Sequence, residues 1–263
     1  MQTILRYLSK EKFKWLLSDN GIYVASAFAQ SDKTEGVFDH TIVSRILKHD
    51  GRLSLDDNQW ESFDNMSFSM MEINRKKSYL TSWYLGDHET SEMWSEYAKD
   101  GIILVSNTYR LMDVLPQPLT HAASFYEIIY DDNKKRHSLY DSLKYKSKEF
   151  SYENELRLVI DLEKYSILTG YEKEIFGEVF VGDLPSYKSP EITSCMSQKS
   201  IEQAHSIITK KANGYIIKFD LNQLLTEIRL NPNYSKEEES EVRNLCINNG
   251  LLVPIKDSHL KAS

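Results

Sequence analysis

The segment Glu153-Asn154-Glu155, followed by Arg157, contains the residue types that acid–base or glycosyl chemistry uses. If this segment is a strand, residues two apart point to the same face, so the two carboxylates lie side by side. Two carboxylates that close repel each other and the pKa of one rises, which gives a site one acid and one base. The simpler interpretation is a solvated edge strand on which Arg157 neutralises both carboxylates. The sequence by itself favours the simpler interpretation.

Arg6 and Tyr7 lie at the end of the first predicted strand. An arginine guanidinium can bind phosphate or carboxylate through two parallel hydrogen bonds, and a tyrosine ring can stack on a planar ligand. Together with the Glu153/Glu155 pair, Arg6 defines a predicted polar site. Taken alone, these two residues are better explained as an exposed arginine beside a half-buried tyrosine.

The segment from Tyr79 to Leu85 has the composition of a strand and contains two adjacent hydroxyl residues, Thr81 and Ser82. Hydroxyl groups in an apolar strand need hydrogen-bond partners if they are buried, so both residues are candidate ligand contacts. Trp94 and Tyr97 follow at helical spacing, and that spacing favours core packing for both.

A basic run between residues 134 and 148 is a further candidate. Its cationic residues are Lys134, Lys135, Arg136, Lys144, Lys146 and Lys148. Such a run can bind phosphate or nucleic acid, although a solvated helix and loop is the commoner structure. The chain has no dinucleotide-binding glycine motif, no P-loop and no nucleophile elbow. Its seven histidines and two cysteines show no metal-ligand spacing, so we expect no metal site.

The composition is typical of a folded protein, with 41% hydrophobic and 27% charged residues. The net charge of −7 excludes a basic footprint over the whole surface, although a local basic patch stays open. Cys195 and Cys246 lie far apart and outside any CxxC motif, which fits a reducing compartment. The N-terminus is too charged for a signal peptide, and no apolar run reaches the roughly 20 residues of a membrane span. We therefore expect a soluble, cytoplasmic protein with no membrane partner.

Strand patterns dominate the chain, and helices are interspersed among them. Predicted strands include Thr3–Tyr7 and Glu155–Leu162, and Ser9 is expected to cap a helix. The stretch from Gly51 to Ser69 has little periodicity and predicts loops. Long apolar strands of the kind found in parallel sheets are missing. The sequence predicts one α+β domain over residues 1–263, with mixed, mostly antiparallel sheets, in which residues 214–263 form a helix–strand extension.

Several motifs follow one another in a fixed order along the chain. They are Leu5-Arg6-Tyr7, Trp94-Ser95-Glu96-Tyr97-Ala98, Gly101-Ile102-Ile103-Leu104, Lys144-Tyr145, Phe150 with Glu153, Glu155 and Arg157, and Glu227-Ile228-Arg229-Leu230-Asn231-Pro232. This order resembles a widespread bacterial family, the domain of unknown function numbered 2971. The resemblance covers almost the whole chain, and its most specific part is the Glu-x-Glu-x-Arg block. It implies no particular activity.

The same order is similar to that of the mono-ADP-ribosyltransferase fold. Members of that fold place an arginine or histidine on the first strand, a Ser/Thr-rich strand before a helix, and Glu-x-Glu before a late strand. Arg6, Thr81-Ser82 and Glu153-x-Glu155 occupy those places here. Leu80-Thr81-Ser82-Trp83 departs from the usual Ser-Thr-Ser. The resemblance implies a split sheet and NAD as the substrate.

The resemblance also implies roles for individual residues. Glu155 would hold the 2′-hydroxyl and stabilise positive charge on the ribose, and Glu153 would deprotonate or orient the acceptor. The predicted NAD contacts are Arg6 on a phosphate, Thr81 and Ser82 as supports of Glu155, Tyr7 or Tyr84 stacked on the nicotinamide, and Arg157. The basic segment before Glu153 would recognise the target.

Three functions are compatible with the sequence. The first is an NAD-dependent ADP-ribosyltransferase that modifies a protein or nucleic acid acceptor, in toxin or phage-defence biology. The second is a hydrolase of NAD or another nucleotide on the same scaffold. The third is a non-catalytic nucleotide-binding or interaction module. The sequence predicts neither the acceptor nor the oligomeric state.

Overall fold

A ten-stranded sheet forms the centre of the protein. The structure is a computed structural model that describes residues 2–30, 32–51, 53–132, 138–172, 175, 178–179, 187–188 and 197–261. Lys134, Lys135 and Arg136 of the basic run, and Cys195, lie outside these residues.

The strands are numbered along the chain. They are β1 (Thr3–Leu8), β2 (Gly21–Ser26), β3 (Ser78–Leu85), β4 (Ile102–Asn107), β5 (Ala123–Glu127), β6 (Ile129–Tyr130), β7 (Tyr145–Lys146), β8 (Glu155–Asp161), β9 (Glu178–Val179), β10 (Tyr187–Lys188), β11 (Ile208–Lys211), β12 (Gly214–Lys218), β13 (Glu227–Leu230) and β14 (Ile255–Lys256).

The helices are numbered in the same way. They are α1 (Lys10–Asp19), α2 (Ile42–Asp50), α3 (Asp57–Lys77), α4 (Ser91–Tyr97), α5 (Thr108–Asp113), α6 (Gln117–Thr120), α7 (Leu139–Ser142), α8 (Leu162–Thr169), α9 (Gln198–Ser206), α10 (Leu221–Leu224) and α11 (Lys236–Asn248), with 3₁₀ helices at Ala27–Ala29 and Lys148–Glu153.

The main sheet is mostly antiparallel. Eight of its strands follow the order β11-β12-β2-β3-β1-β4-β13-β14, and β8 joins β3 to β5. Within this sheet only the pairing of β13 with β14 is parallel among the described residues. The fold is therefore α+β with a mostly antiparallel sheet, as predicted. Strands from residues 214–263 lie toward both ends of this sheet, where β12 pairs with β2 and β13 pairs with β4.

The sheet forks at β3. One edge of β3 pairs with β8 from Ser78 to Tyr84. The other edge is shared, because β2 pairs with Tyr79 and Leu80 whereas β1 pairs with Tyr84 and Leu85. Between these two short pairings β1 and β2 diverge from β3, and α1 connects their diverging ends.

The two faces of the sheet near β3 differ in character. Directly paired residues of antiparallel strands point to the same side, so Ser82 and Tyr84 share a face with Arg157 and Glu155. We call this the cluster face. The opposite face, which we call the core face, bears Trp83 together with Leu156, Leu158 and Ile160 of β8, and these belong to the largest hydrophobic core.

Local sequence signals located many of the elements correctly. The Ser9 side chain accepts a hydrogen bond from the backbone N–H of Lys12 and caps α1 as predicted. The prediction of loops from Gly51 to Ser69 is wrong, because α3 spans 21 residues from Asp57 to Lys77. Most of this helix is exposed, and its polar residues hide the apolar period that would mark a buried helix. Among the described residues, no helix combines the length and the apolar character needed to cross a membrane.

Candidate functional site

The Glu153-Asn154-Glu155 segment is a bend and not a continuous strand. Glu153 ends a 3₁₀ helix, and Asn154 has a left-handed backbone conformation with φ of 35°. Glu155 is the first residue of β8. Both glutamates are buried and Asn154 is exposed between them. The prediction that strand alternation aligns the carboxylates is therefore wrong, since the turn at Asn154 brings them together.

Arg157 lies at the centre of five charged side chains. Its Nε donates to Glu155 Oε1 over 2.8 Å, and its Nη2 donates to Glu155 Oε2 over 3.1 Å. Nη2 also donates to Glu35 Oε1 over 2.9 Å, and Nη1 donates to the backbone carbonyl of Leu143 over 2.9 Å. Arg157 is fully buried, and the neighbouring carboxylates raise its pKa despite that burial. The guanidinium is thus a fixed cation within the fold.

The Glu155 carboxylate receives donors at both oxygens. Besides Arg157, the Ser82 hydroxyl donates to Oε1, and the Lys146 ammonium lies 3.5 Å from Oε2. Burial alone would raise the pKa of Glu155, but Arg157, Lys146 and Ser82 outweigh burial and lower it to about 2. Glu155 is therefore ionised at neutral pH.

Glu153 is held by a different pair of donors. The Lys146 ammonium lies 2.6 Å from Glu153 Oε2, and the Tyr97 hydroxyl donates to Oε1 over 2.5 Å. Burial lowers the pKa of Lys146, but the charges of Glu155 and Glu153 raise it further than burial lowers it. Lys146 thus bridges the two glutamates, a role that the simpler sequence interpretation gave to Arg157.

Glu35, Lys146, Glu153, Glu155 and Arg157 together form what we call the carboxylate cluster. With all five charged, the cluster has a net charge of −1. Burial raises the pKa of Glu35, and Arg157 offsets only part of that rise. All five side chains are buried, and β8 lies between β3 and β5, so the expectation of a solvated edge strand is wrong.

Solvent reaches the cluster through Ser82. Ser82 is exposed although Glu155, which it contacts, is only 3% exposed. Tyr97 is 37% exposed, and Tyr84 is half-buried on the same face. A ligand hydroxyl would therefore approach Glu155 from the Ser82 side of the cluster face.

The structure does not bring Arg6 and Thr81 to the carboxylate cluster. Arg6 lies on the core face, where its guanidinium carbon is 5.7 Å from the centre of the Trp83 ring. Its Nη2 is 3.5 Å from the Tyr23 carbonyl oxygen inside the fork of the sheet. Burial lowers the pKa of Arg6 to about 10. Arg6 Nη1, Thr81 Oγ1 and Trp83 Nε1 have no hydrogen-bond partner in the described part of the chain.

The two candidate stacking residues differ in accessibility. Tyr7 is buried on the cluster face, where Trp94 and Tyr84 contact its ring edge to face at 5.5 and 6.4 Å between ring centres. Tyr84 lies directly opposite Glu155 on the neighbouring strand and is half-buried. Tyr84 is therefore the better placed of the two for stacking on a ligand.

Three residues of this site were missed or misassigned from the sequence. Lys146 was one cation within a basic run, and Tyr97 was assigned to the core together with Trp94. Trp94 is buried as predicted, but Tyr97 binds Glu153. Glu35 lies in a polar, turn-like stretch, and nothing in its local sequence indicates a contact with Arg157. Among the described residues no group of His, Cys, Asp and Glu could hold a metal ion.

One comparison with known proteins identifies a related family. Residues 93–158 match the family model described as protein of unknown function (DUF2971). The DUF2971 match covers about a quarter of the chain and includes Tyr97, Lys146, Glu153, Glu155 and Arg157. It does not include Leu5-Arg6-Tyr7, Ser82 or the tail motif at Glu227. The search of curated proteins and the search of solved structures each found no match.

Proposed function

We propose that the protein is an NAD-dependent ADP-ribosyltransferase whose reaction centre lies on the cluster face at Ser82, Glu153 and Glu155. The observation that carries the proposal is the hydrogen bond from exposed Ser82 to buried, ionised Glu155 across neighbouring strands. A serine that fixes a catalytic carboxylate is the arrangement that the resemblance to ADP-ribosyltransferases predicts. The match to DUF2971 spans the segment that contains both glutamates but gives no activity.

The charge of the site suits a reaction that builds up positive charge. Cleavage of the bond between ribose and nicotinamide leaves an electron pair on nicotinamide and an oxocarbenium-like ribose. A fixed anion stabilises such a cation most strongly in a buried, preorganised setting. The Glu155 carboxylate supplies that anion, because its lowered pKa keeps it ionised.

The residues on the cluster face also fit the parts of the substrate. Glu155 would accept a hydrogen bond from a ribose hydroxyl that replaces the 3.5 Å Lys146 contact. Tyr84 would stack on the nicotinamide ring. Lys144 is a partly exposed cation that would contact the diphosphate, since its ammonium lies 5.3 Å from the ring centre of Tyr126, which is paired with Arg157 across β5 and β8. Arg6 lies on the core face and has no part in this centre.

Glu153 and Tyr97 would act on the acceptor. Tyr97 is partly exposed and donates to Glu153, so an acceptor nucleophile that displaces the Tyr97 hydroxyl would contact Glu153 directly. The acceptor forms the new bond to the ribose carbon, and its proton passes to Glu153. Water in the same position would give hydrolysis of NAD.

A non-catalytic interaction module, in which the carboxylate cluster has a structural role, is the second candidate, and one observation favours it. Four donor contacts already surround the Glu155 carboxylate, from Ser82, Lys146 and two nitrogens of Arg157. A carboxylate has about four acceptor positions, so a ligand must displace an existing contact before it can bind. A buried cluster satisfied to this degree also suits a purely structural role.

The test follows nicotinamide released from NAD by the purified protein, with and without cell lysate. Release that needs lysate, is lost in Glu155→Gln, and is accompanied by transfer of radiolabelled ADP-ribose to a macromolecule supports the transferase. The matched control is Glu89→Gln, since Glu89 is also buried and paired with an arginine, Arg229, outside the carboxylate cluster. This control should keep its turnover at temperatures where it is folded. Release without lysate identifies a hydrolase, and no release with no thermal shift on adding NAD overturns the NAD proposal.

A further inference from the structure

Helix α3 has an apolar stripe that the described residues leave exposed. Trp60, Met71 and Arg75 are the buried residues of this helix. On another side of the helix, Met66, Met70 and Ile73 are 41%, 45% and 46% exposed, and half-buried Phe63 continues the same line. Residues three and four apart are neighbours on a helix surface, so these four side chains form one continuous stripe. Water-exposed apolar stripes of this kind are typical of helix–helix interfaces.

The stripe has the same spacing in both directions. The intervals from Phe63 to Met66, Met70 and Ile73 are three, four and three residues. If two copies of α3 pack antiparallel around a two-fold axis, Met66 of each copy faces Met70 of the other, and Phe63 faces Ile73. A two-fold interface requires a self-complementary patch, and this spacing provides one.

The charges of α3 are also arranged for antiparallel pairing. The first half of the helix and its cap contain acidic residues, and the second half is mainly basic. The exposed acidic residues are Asp56, Asp57 and Glu61, and the basic residues that reach solvent are Lys76 and Lys77. The acidic residue of the second half, Glu72, pairs with Arg75 at 2.6 Å. In antiparallel packing, the acidic half of one α3 lies beside the basic half of the other. The two helix dipoles then point in opposite directions, which is the favourable arrangement.

We propose that the protein forms a two-fold symmetric homodimer through antiparallel packing of α3, centred on Met66 and Met70. The stripe from Phe63 to Ile73 is about 15 Å long at 1.5 Å per helical residue. An interface of one helix pair lies at the small end of protein–protein interfaces, so we expect dissociation constants on the order of micromolar.

The first test measures the mass of the full-length protein by sedimentation equilibrium from low micromolar to the highest soluble concentration. The wild-type protein should move from monomer to dimer over this range. Met70→Glu places a charge at the centre of the apolar contact, so the dissociation constant should rise at least about tenfold. The matched control is Phe68→Glu, because Phe68 is 46% exposed on the same helix but points away from the stripe. The control should dimerise like the wild type.

A second test examines the direction of packing. Protein with Met66→Cys is mixed with protein with Met70→Cys under mild oxidation, and the disulfides are identified by peptide mapping. Antiparallel packing predicts linkage of position 66 in one chain to position 70 in the other, in excess of 66–66 and 70–70 linkages. A monomer at every concentration, a dimer unaffected by Met70→Glu, equal loss in Phe68→Glu, or a preference for 66–66 and 70–70 linkages would each overturn the proposal.

Discussion

Glu35 and Arg157 are 122 residues apart in the chain, yet Arg157 Nη2 donates to Glu35 Oε1 over 2.9 Å in the folded protein. The second pair of atoms, Arg157 Nη1 and Glu35 Oε2, lies 2.8 Å apart. The loop that contains Glu35 is itself fixed by Arg75, which donates to the backbone carbonyls of Lys33 and Glu35. The carboxylate cluster therefore joins this loop to β8, and its stability depends on Arg157.

Replacement of Arg157 should destabilise the fold strongly. Arg157→Met leaves Glu35 and Glu155 buried without their shared cation, and breaking a buried pair in this way costs about 3–5 kcal/mol. Urea unfolding followed by circular dichroism measures the loss. Arg45→Met is the control, since Arg45 pairs with Asp39 at the surface and such pairs contribute at most about 1 kcal/mol. Equal effects of the two substitutions would contradict a central role for Arg157.

Arg6 should behave in the opposite way. This arginine has no carboxylate within 4.0 Å in the described part of the chain, and burial lowers its pKa to about 10. The folded state pays a desolvation penalty for the Arg6 guanidinium, and Arg6→Met removes that penalty. The methionine side chain keeps apolar contact with Trp83, so the free energy of unfolding should not fall. The same urea experiment tests this expectation. A loss above about 1 kcal/mol would show that Arg6 has a stabilising partner.

Substitutions of Ser82 and Thr81 should affect different properties, NAD turnover for Ser82 and stability for Thr81. Ser82→Ala removes a donor to Glu155, and loss of one hydrogen bond to a charged group should lower NAD turnover about tenfold or more. Thr81→Val removes a buried hydroxyl that has no hydrogen-bond partner among the described residues, so stability should be unchanged or slightly higher. Nicotinamide release and thermal unfolding of both variants measure the two effects. A larger loss of turnover in Thr81→Val would place the reaction centre on the core face.

The acid dependence of stability should contain a contribution from Glu155. Its pKa is about 2 in the folded protein and about 4.3 in an unfolded chain, so the unfolded state binds more protons between these values. Stability from this group is complete above about pH 5 and falls as the pH decreases toward 2, by about 3 kcal/mol at most.

The measurement compares unfolding free energies of the wild type and Glu155→Gln from neutral to acidic pH. The difference between the two proteins should shrink on acidification. Glu35 contributes to the pH dependence of stability with the opposite sign. Its pKa is raised in the folded state, so the folded protein binds the proton more readily and gains stability as the pH falls through the folded-state pKa. Glu35→Gln should therefore show a steeper acid loss than the wild type. A constant difference between the wild type and Glu155→Gln would contradict the lowered pKa of Glu155.

The sequence by itself determined the α+β class, the strand that contains Thr81 and Ser82, and the cap of α1, and it singled out Glu155 and Arg157 as candidate site residues. These features depend on alternation, on capping residues and on charges close together in the chain, all of which are local. The identities of the two central charged residues could therefore be predicted without a fold.

Only the tertiary structure decided which side chains meet. Glu35 and Lys146 join the carboxylate cluster through contacts between distant segments, and no local pattern encodes such contacts. Arg6 lies on the core face because its register with β4 and β3 fixes the direction of its side chain, and a change of one residue in register would reverse that direction. For the same reason adjacent Thr81 and Ser82 point to opposite faces. Sequence could propose the reactive residues, but pairing register and packing determined which of them share a site.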